Sequence, residues 1–143
     1  MVNMKSVIII PAIFASTRFP GKPLTKLLGK EMIIWVAELC AEALGRDNVY
    51  VATDDIKIKN VVIEHGFNSI MTSEKALTGT DRMAMAAEQI ESDIYINVQG
   101  DEVLIDPLDI LKIRDAKAEN MDKVVNGYCE LTGSGGVKSV NIP

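Results

Sequence analysis

Three stretches of this chain combine residue types suited to phosphate chemistry, and the first of them follows the apolar run Val7–Ile10. This loop, residues 11–24, contains small and hydroxyl residues at 15–17, which let backbone N–H groups approach an anion. Arg18 adds a forked guanidinium, and Lys22 adds a point charge. The combination favours a polyphosphate ligand; a solvated surface loop with two ordinary cations is the alternative.

The second stretch, residues 98–102, has the sequence Val-Gln-Gly-Asp-Glu and lies at the predicted carboxyl end of another strand. Gly100 permits a tight backbone path, so Asp101 can present a hard oxygen to a divalent cation that bridges phosphates. Magnesium commonly takes only one or two protein carboxylates when phosphate supplies other ligands. We interpret Asp101 as a candidate metal ligand and Glu102 as solvated, with an ordinary Gly-Asp turn as the alternative.

The third stretch, residues 72–82, is a polar loop that enters a helix. Free N–H groups at the helix start, close approach at Gly79 and the charge of Arg82 suit a nucleotide, although a plain capping loop fits equally well. Thr53 and Asp54 end a predicted strand in the same crevice, where this segment also suits the N-cap of the following helix.

The segments that position these stretches alternate between strand-like and helix-like patterns, which predicts βαβ units and a mostly parallel sheet. Ligands in open α/β sheets gather beyond the carboxyl ends of the strands, so we expect the three stretches to share one crevice. The predicted strands are residues 7–10, 49–52, 67–71 and 94–98. The predicted helices are residues 31–44, 55–65 and 82–90, the last capped by Thr80 or Asp81, and one that opens at Asp106-Pro107.

The charge distribution narrows the class of ligand. The chain has 15 Lys and Arg against 20 Asp and Glu, yet residues 1–30 carry a net charge of +5 and the remainder carries −10. An acidic chain with one basic loop argues against a nucleic-acid partner and suits a small anionic ligand. Neither a P-loop nor a dinucleotide-binding G-x-G-x-x-G after the first strand occurs, which argues against both of those enzyme classes.

Length and composition predict one soluble domain that spans residues 1–143, because 48% of the residues are hydrophobic and 24% are charged. No apolar run is long enough for a bilayer and no signal peptide is evident, so we expect a cytoplasmic protein without a membrane partner. Cys40 and Cys129 lie far apart in sequence and His65 is near neither, which favours buried free thiols over a disulfide or a metal site. His65 is predicted to lie on the surface at a helix end.

Together these motifs resemble the 3-deoxy-manno-octulosonate (Kdo) cytidylyltransferases, or CMP-Kdo synthetases, across about residues 5–110. The shared motifs are I-P-A-x-x-A-S-T-R-x-P-G-K-P-L, V-A-T-D-D, T-G-T-D-R and N-V-Q-G-D-E, in that order. The resemblance implies a Rossmann-like nucleotide-diphospho-sugar transferase fold, a mostly parallel sheet with helices on both faces. It also implies that the chain is the N-terminal part of a longer cytidylyltransferase and that the fold is incomplete at its C-terminal end.

The resemblance further implies a reaction for lipopolysaccharide synthesis. The anomeric hydroxyl of a 3-deoxy-2-ulosonic acid, Kdo or a close relative, attacks the α-phosphorus of CTP and releases pyrophosphate. Arg18 and Lys22 then hold the β- and γ-phosphates, and Asp101 binds Mg²⁺ at the α-phosphate, which helps to lower the pKa of the sugar hydroxyl. The residues implied for the cytidine pocket are Ala12, Ser16, Gly79, Arg82 and Gln99, with Thr53 and Asp54 at its edge. The implied partners are CTP and an acidic 3-deoxy sugar, and a second subunit in a homodimer of the full-length form.

The chain departs from the family pattern in three respects. Ile13 stands where the family usually has arginine, and the loss of one charge-assisted phosphate contact costs about 1.5–3 kcal/mol. Ala76 and Thr78 stand where histidine and serine are common, so a base or sugar contact is expected to be lost. Family members also extend well beyond residue 143, so we expect much of the ulosonic-acid pocket, a further metal carboxylate and the dimer surface to lie outside this sequence. We expect an unpaired sheet edge and a flexible loop at residues 133–136.

Two other functions remain open. A non-catalytic nucleotide-binding or interaction module is favoured by Ile13 and by the missing half of the family pattern. A related transferase for another acidic sugar, such as a sialic acid or an amino-substituted octulosonate, or for another nucleotide, is the other alternative. Sialic-acid-activating enzymes share the P-G-K element, but the Ser-Thr-Arg run at residues 16–18 is more similar to the Kdo enzymes. The sequence does not choose between Kdo and its 8-amino relative.

Overall fold

The computed structural model describes residues 4–15, 19–129 and 137–141, with the strands from residue 126 onward described by their backbone alone. Two short 3-10 turns occupy Lys22–Leu24 and Arg46–Asn48. In chain order the other elements are β1 (Ser6–Pro11), β2 (Lys26–Leu27), β3 (Lys30–Glu31), α1 (Met32–Leu44), β4 (Val49–Thr53), α2 (Ile56–Glu64), β5 (Asn68–Met71), α3 (Gly79–Ala87), β6 (Ile94–Asn97), α4 (Pro107–Glu119), β7 (Asn126–Cys129) and β8 (Val137–Asn141).

Four strands form a sheet in the order β5-β4-β1-β6, and every pair in it is parallel. All six residues of β1 are buried, because this strand has neighbours on both sides and helices above and below it. Ile10 lies opposite Val51, and Ile8 lies opposite both Val49 and Ile96. The predicted parallel sheet is confirmed.

Helices cover both faces of this sheet because successive β1 side chains point to opposite sides. Ile8 and Ile10 join the larger apolar cluster, together with buried residues of α1, α2 and α4. Val7 and Ile9 join a smaller cluster with Ala86 of α3. Burial of each large aliphatic side chain contributes about 1.5–3 kcal/mol, so both clusters stabilise the sheet and the two-faced arrangement is confirmed.

The strand order creates a crevice beside β1. From β1 the chain moves outward to β4 and then to β5, and it returns past β1 to form β6 on the other side. The strands β1 and β6 are therefore neighbours, but the loops that follow them lead away from each other. In open α/β sheets this is the point at which ligands bind, beyond the carboxyl ends of the strands.

Most predicted elements are present with boundaries shifted by one or two residues, but the predicted start of α3 was wrong. The helix begins at Gly79, three residues before the predicted first residue, and Thr78 is its N-cap. Thr78 has an extended backbone, and its Oγ1 accepts a hydrogen bond from the backbone N–H of Asp81 at 3.1 Å. The helix ends at Ala87, also three residues earlier than predicted.

A small hairpin of β2 and β3 was not predicted from the sequence. Its turn places Leu28 and Gly29 at φ values of 53° and 81°, a left-handed conformation that glycine favours and leucine rarely adopts. The hairpin is attached to α1 through Trp35, whose Nε1 donates to the Leu27 carbonyl at 2.7 Å. Lys30 Nζ lies 4.1 Å from the centroid of the same indole ring.

A further antiparallel pair is formed by β7 and β8. Within the described residues, β6 has a strand partner on one side only, and the expected edge of an interrupted sheet stays a prediction. The predicted loop at 133–136 lies outside the described residues. No helix in the described part of the chain is both long and apolar enough to cross a membrane.

The predicted buried thiol is confirmed for Cys40, which is fully buried and free. Burial raises its pKa to about 12, and the negative charge of Glu102 acts in the same direction. The side chain of Cys129 lies outside the described part of the structure. His65 is exposed, as predicted, at the end of α2.

Candidate functional site

The three candidate stretches begin where neighbouring strands of the sheet end. Backbone hydrogen bonds continue the strand ladder past each end: Ala12 N–H donates to Ala52 O at 2.9 Å, and Thr72 N–H donates to Thr53 O at 2.9 Å. Val98 N–H donates in the same way to Ile9 O at 3.2 Å. The loops that follow therefore start side by side at the carboxyl edge, as the sequence predicted.

A cavity of about 680 Å³ lies at this edge, within the size range of small-ligand sites. Gly79 helps to form it, because a Cβ there would lie 3.6 Å from Pro11 Cγ and 3.8 Å from Gln99 Oε1. The start of α3 thus approaches the ends of both β1 and β6. The residues that line the cavity are Pro11, Ile13, Phe14, Ala15, Asp54, Asp55, Glu74, Ala76, Leu77, Thr78, Gly79, Arg82 and Gln99.

The predicted nucleotide-binding residues fall into three groups. Four of them line this cavity: Asp54, Gly79, Arg82 and Gln99. Ala12 and Thr53 are buried, with 4% and 0% of their surface exposed, and are not among the lining residues. Lys22 also lies outside the lining, whereas Ser16 and Arg18 belong to a segment outside the described residues.

Arg82 is the largest fully buried side chain of the described structure, and its guanidinium joins three segments of the site. Its Nη2 lies 3.3 Å from Asp54 Oδ2, in an ion pair whose side chains are 2% and 21% exposed. Its Nη1 donates to Thr72 Oγ1 and to the carbonyl of Ser73. The end of β4, the loop after β5 and the first turn of α3 are therefore fixed to one another.

Lys22 and Asp101 form a second ion pair, with Nζ 3.1 Å from Oδ2, and Asp101 lies two residues after Gln99, which lines the cavity. The side chains are 45% and 53% exposed, so the pair is worth only about 0–1 kcal/mol to stability. Gly21 places Lys22: it has a φ of 74°, and its N–H donates to the Phe14 carbonyl at 2.7 Å. Two residues proposed for phosphate and metal chemistry from separate loops are thus in contact.

Gly100 allows the loop with Asp101 to pass close to β1. A Cβ at this position would lie 3.2 Å from the carbonyl oxygen of Pro11, which is tighter than most real contacts. The turn is closed by Glu102 N–H, which donates to the Gln99 carbonyl at 3.2 Å. Loss of hydration raises the pKa of the Glu102 carboxyl, and the charge of Asp101 raises it further, against a lowering effect from the Gln99 backbone. The Glu102 side chain is nevertheless exposed, which agrees with its interpretation as solvated.

The described residues of the cavity lining are acidic rather than basic. Among the described lining residues, the carboxylates are Asp54, Asp55 and Glu74, and the cation is Arg82, which is already paired with Asp54. Asp55 is the N-cap of α2, since its side chain accepts from the backbone N–H groups of Lys57 and Ile58. A cavity of this charge suits the uncharged part of a ligand, while Lys22 outside it is available to an anionic part.

Apolar side chains stand around the cavity and were not predicted to contribute to it. Ile13 is 44% exposed and Leu77 is 90% exposed, and both belong to the lining. The Phe14 ring lines it too, with Lys57 Nζ 4.6 Å from its centroid. Ile13 was marked in the sequence only as a departure from the family pattern, and no motif marks Phe14 or Leu77, but each of the two loops that carry them contains a predicted site residue within five positions.

Asp101 fits a magnesium ion that arrives together with phosphate. Its carboxylate is a hard oxygen donor, half exposed at the strand end. The described residues contain no cluster of three or more His, Cys, Asp or Glu side chains that could hold a metal. An ion at Asp101 would therefore depend on phosphate oxygens and water for most of its ligands, which is the usual arrangement for magnesium at nucleotide sites.

A larger cavity of about 800 Å³ extends along β6 and α4. It reaches Asp101 and Glu102 at one end, but most of its lining is apolar, including Ile94, Ile96 and Ile110. The chemistry-bearing residues cluster in the smaller cavity and at the Lys22–Asp101 pair, so we place the candidate site there.

Comparisons with known proteins agree with the resemblance seen in the sequence. The profile of a family described as cytidylyltransferase matches residues 7–139. The chain is 46% identical over 114 residues to 3-deoxy-manno-octulosonate cytidylyltransferase of Myxococcus xanthus, a match that covers 79% of this chain and 46% of the relative. It is 47% identical over 113 residues to 8-amino-3,8-dideoxy-manno-octulosonate cytidylyltransferase of Shewanella frigidimarina, covering 77% of this chain and 46% of the relative.

A solved structure of CMP:2-keto-3-deoxy-manno-octonic acid synthetase in complex with CTP has the same fold. The two superpose with a TM-score of 0.82 at 40% sequence identity, over 87% of this chain and 52% of that one. The predicted fold class is confirmed, and so is the predicted resemblance. The chain spans about half the length of the relatives that it matches.

Proposed function

The chain belongs to the cytidylyltransferase family, and from this premise we propose that it forms the nucleotide-binding half of an enzyme that transfers CMP from CTP to the anomeric hydroxyl of a 3-deoxy-2-ulosonic acid. The single observation that carries the proposal is the contact between Lys22 and Asp101 at the carboxyl edge of the sheet, two residues beyond Gln99, which lines the cavity. The products would be a CMP-activated sugar for lipopolysaccharide synthesis and pyrophosphate.

The charge pattern supports one orientation of CTP. Its uncharged base and ribose would occupy the acidic cavity, against Gly79 and Gln99, with Ala12 and Thr53 buried behind them. The triphosphate would extend away from these carboxylates toward Lys22, because a polyanion inside the cavity would be repelled. Ser16 would add a contact by similarity to the family.

The chemistry needs no covalent intermediate, since nucleotidyl transfer rests mainly on positioning and charge neutralisation. Lys22 would hold the β- and γ-phosphates and stabilise the departing pyrophosphate, and Arg18 would do the same by similarity. Asp101 would hold Mg²⁺ at the α-phosphate. When bound, such an ion polarises the phosphoryl group and lowers the pKa of an attacking hydroxyl.

The sugar is proposed as Kdo or its 8-amino relative. The two kinds of curated relative are equally similar to the chain, at 46% and 47% identity, so the comparisons favour neither substrate. A cytoplasmic location and a homodimer of the full-length form remain part of the proposal.

A second candidate function is a nucleotide-binding module without catalysis. It is supported by Ile13, which lines the cavity with 44% of its surface exposed where the family usually has an arginine. In this case the chain would bind CTP without turnover, even when it is joined to the rest of a full-length protein.

The first experiment is a thermal-shift titration of the chain with CTP, UTP, ATP and GTP, each with and without magnesium. A ligand at one hundred times its Kd adds about 2.7 kcal/mol to the free energy of unfolding, which is readily measured. We expect stabilisation by CTP in preference to the others, and a larger effect with magnesium. The absence of a shift with any nucleotide would contradict the proposal.

Pyrophosphate release then separates the two candidates. A full-length form that contains this chain should release pyrophosphate from CTP when Kdo or 8-amino-Kdo is added. Binding of CTP without sugar-dependent release would support the non-catalytic module.

A further inference from the structure

The burial of the Arg82 side chain costs free energy, and packing alone does not explain why the residue is buried. A guanidinium with 2% of its surface exposed has lost its hydration, and this cost is offset only by good partners. Arg82 also lies in the first turn of α3, where the helix dipole disfavours a cation. Its Nε is buried without a hydrogen-bond partner in the described structure, which adds a further cost.

The guanidinium of Arg82 has partners on both sides. One side of the fork is occupied by Asp54, whose side chain is 21% exposed and lines the cavity. The other side is occupied by Thr72 Oγ1 and the Ser73 carbonyl. A guanidinium that is enclosed in this way has little capacity left for a phosphate, in contrast to the half-exposed ammonium of Lys22.

We propose that Arg82 is a positioning residue of the nucleotide site, which cancels the charge of Asp54 at the cavity wall and holds residues 72–73 against α3. It acts through Asp54 and the loop rather than by binding the phosphates. The inference rests on the proposed function, because the anionic ligand that the wall must tolerate is CTP.

The consequence is a difference between charged and uncharged ligands. If Arg82 alone is removed, Asp54 becomes an unpaired carboxylate beside the ligand, and CTP is repelled more strongly than cytidine, which has no phosphate. If both members of the pair are removed, the net charge of the wall is restored. A residue that bound phosphate directly would show no such recovery.

The test measures Kd for CTP and for cytidine by calorimetry at fixed ionic strength, using Arg82→Met, Arg82→Lys and the double variant Asp54→Asn/Arg82→Met. In Arg82→Met we expect the preference for CTP over cytidine to fall about tenfold, as for a unit charge within a Debye length. In the double variant we expect the preference to return to within about twofold of the unaltered chain, although both ligands bind more weakly. Arg82→Lys should keep most of the preference because it keeps the charge.

If Arg82→Met does not fold, the double variant still provides the test, because simultaneous loss of both partners of a buried ion pair is often tolerated. A preference that stays about tenfold low in the double variant would show a direct phosphate contact and overturn the proposal. The matched control is Lys57→Met, a cation near the cavity whose loss should leave the cytidine Kd unchanged.

Hydrogen exchange tests the positioning role without any ligand. In the double variant, amides of residues 72–78 should exchange at least tenfold faster, while those of β1 and β4 stay protected. Unchanged exchange in this loop would overturn the positioning role. Failure of the unaltered chain to bind CTP or cytidine, together with faster loop exchange, would instead contradict the proposed function alone.

Discussion

At the scale of single residues, the contact between Lys22 and Asp101 places an ammonium on the carboxylate that we propose as a metal ligand. The ammonium of Lys22 lies 3.1 Å from Asp101 Oδ2. A magnesium ion held by the same carboxylate would lie close to this ammonium, and the two positive charges would repel each other. Binding of metal and release of Lys22 toward phosphate are therefore expected to be coupled.

This coupling predicts that one substitution at Lys22 changes the affinities for Mg²⁺ and for CTP in opposite directions. Lys22→Met should raise the affinity of the chain for Mg²⁺ alone by about two- to fivefold, because an exposed ion pair is worth up to about 1 kcal/mol. The same change should weaken CTP binding, because it removes a phosphate contact. Calorimetric titrations with MgCl₂ and with CTP measure both effects.

Lys26→Met is the matched control, since Lys26 is an exposed cation of the same basic segment and lies in β2. It should change neither affinity by more than about twofold. If Lys22→Met left magnesium affinity unchanged or lowered it, the competition for Asp101 would be ruled out.

At the scale of elements, the start of α3 determines the shape of the cavity, because Thr78 and Gly79 both line it. The N-cap is Thr78, although the sequence also offers Thr80 and Asp81 within three residues. Thr78 is preferred because it has the extended backbone of an N-cap and its hydroxyl is three residues before the N–H of Asp81. The Asp81 side chain lies in the first turn, where its negative charge suits the helix dipole.

The second prediction compares two threonines that are two positions apart. Thr78→Ala should lower the free energy of unfolding by about 1 kcal/mol, the usual value of a lost N-cap, whereas Thr80→Ala should change it by less than about 0.5 kcal/mol. Urea denaturation followed by circular dichroism measures both. An equal loss in the two variants, or a larger loss for Thr80→Ala, would mean that the helix starts elsewhere.

The sequence predicted the elements whose signals are local and repeated. The β-branched run of β1 and the Asp-Pro start of α4 carry such signals, and both elements are present. The β2–β3 hairpin was missed because its turn requires Leu28 at a φ of 53°, which no propensity favours. Tertiary contacts of Trp35 hold this turn, so it is a consequence of packing rather than of local sequence.

For the site, the sequence predicted which residues meet but not what each charged residue contacts. Motifs and their spacing brought Gly79, Arg82 and Gln99 to one cavity, because parallel strands end at a common edge. The partner of each charged residue was not predictable. Arg82 pairs with Asp54 in the cavity wall and Lys22 pairs with Asp101, and both contacts depend on distances between loops that are far apart in sequence.

At the scale of the whole molecule, the larger apolar cluster joins residues from β1, β4, β6 and three helices, and Cys40 lies within it. The thiol is fully buried, and its pKa is raised to about 12, above the value of 9.0 for an ordinary thiol. Well below pH 9 the thiol is protonated in both the folded and the unfolded chain, so it has no effect on the pH dependence of stability there. Between pH 9 and 12 the unfolded chain loses this proton while the folded chain keeps it.

The third prediction follows from that difference. Because the folded state binds more protons in this window, the free energy of unfolding should fall as pH rises, by up to about 1.4 kcal/mol per pH unit from this thiol. Urea denaturation at pH 7.5, 9 and 10.5 measures the slope, and Cys40→Val, which removes the titrating group, should show a shallower slope above pH 9. If the two slopes were the same, Cys40 would ionise equally in the folded and unfolded states, and the raised pKa of its thiol would be contradicted.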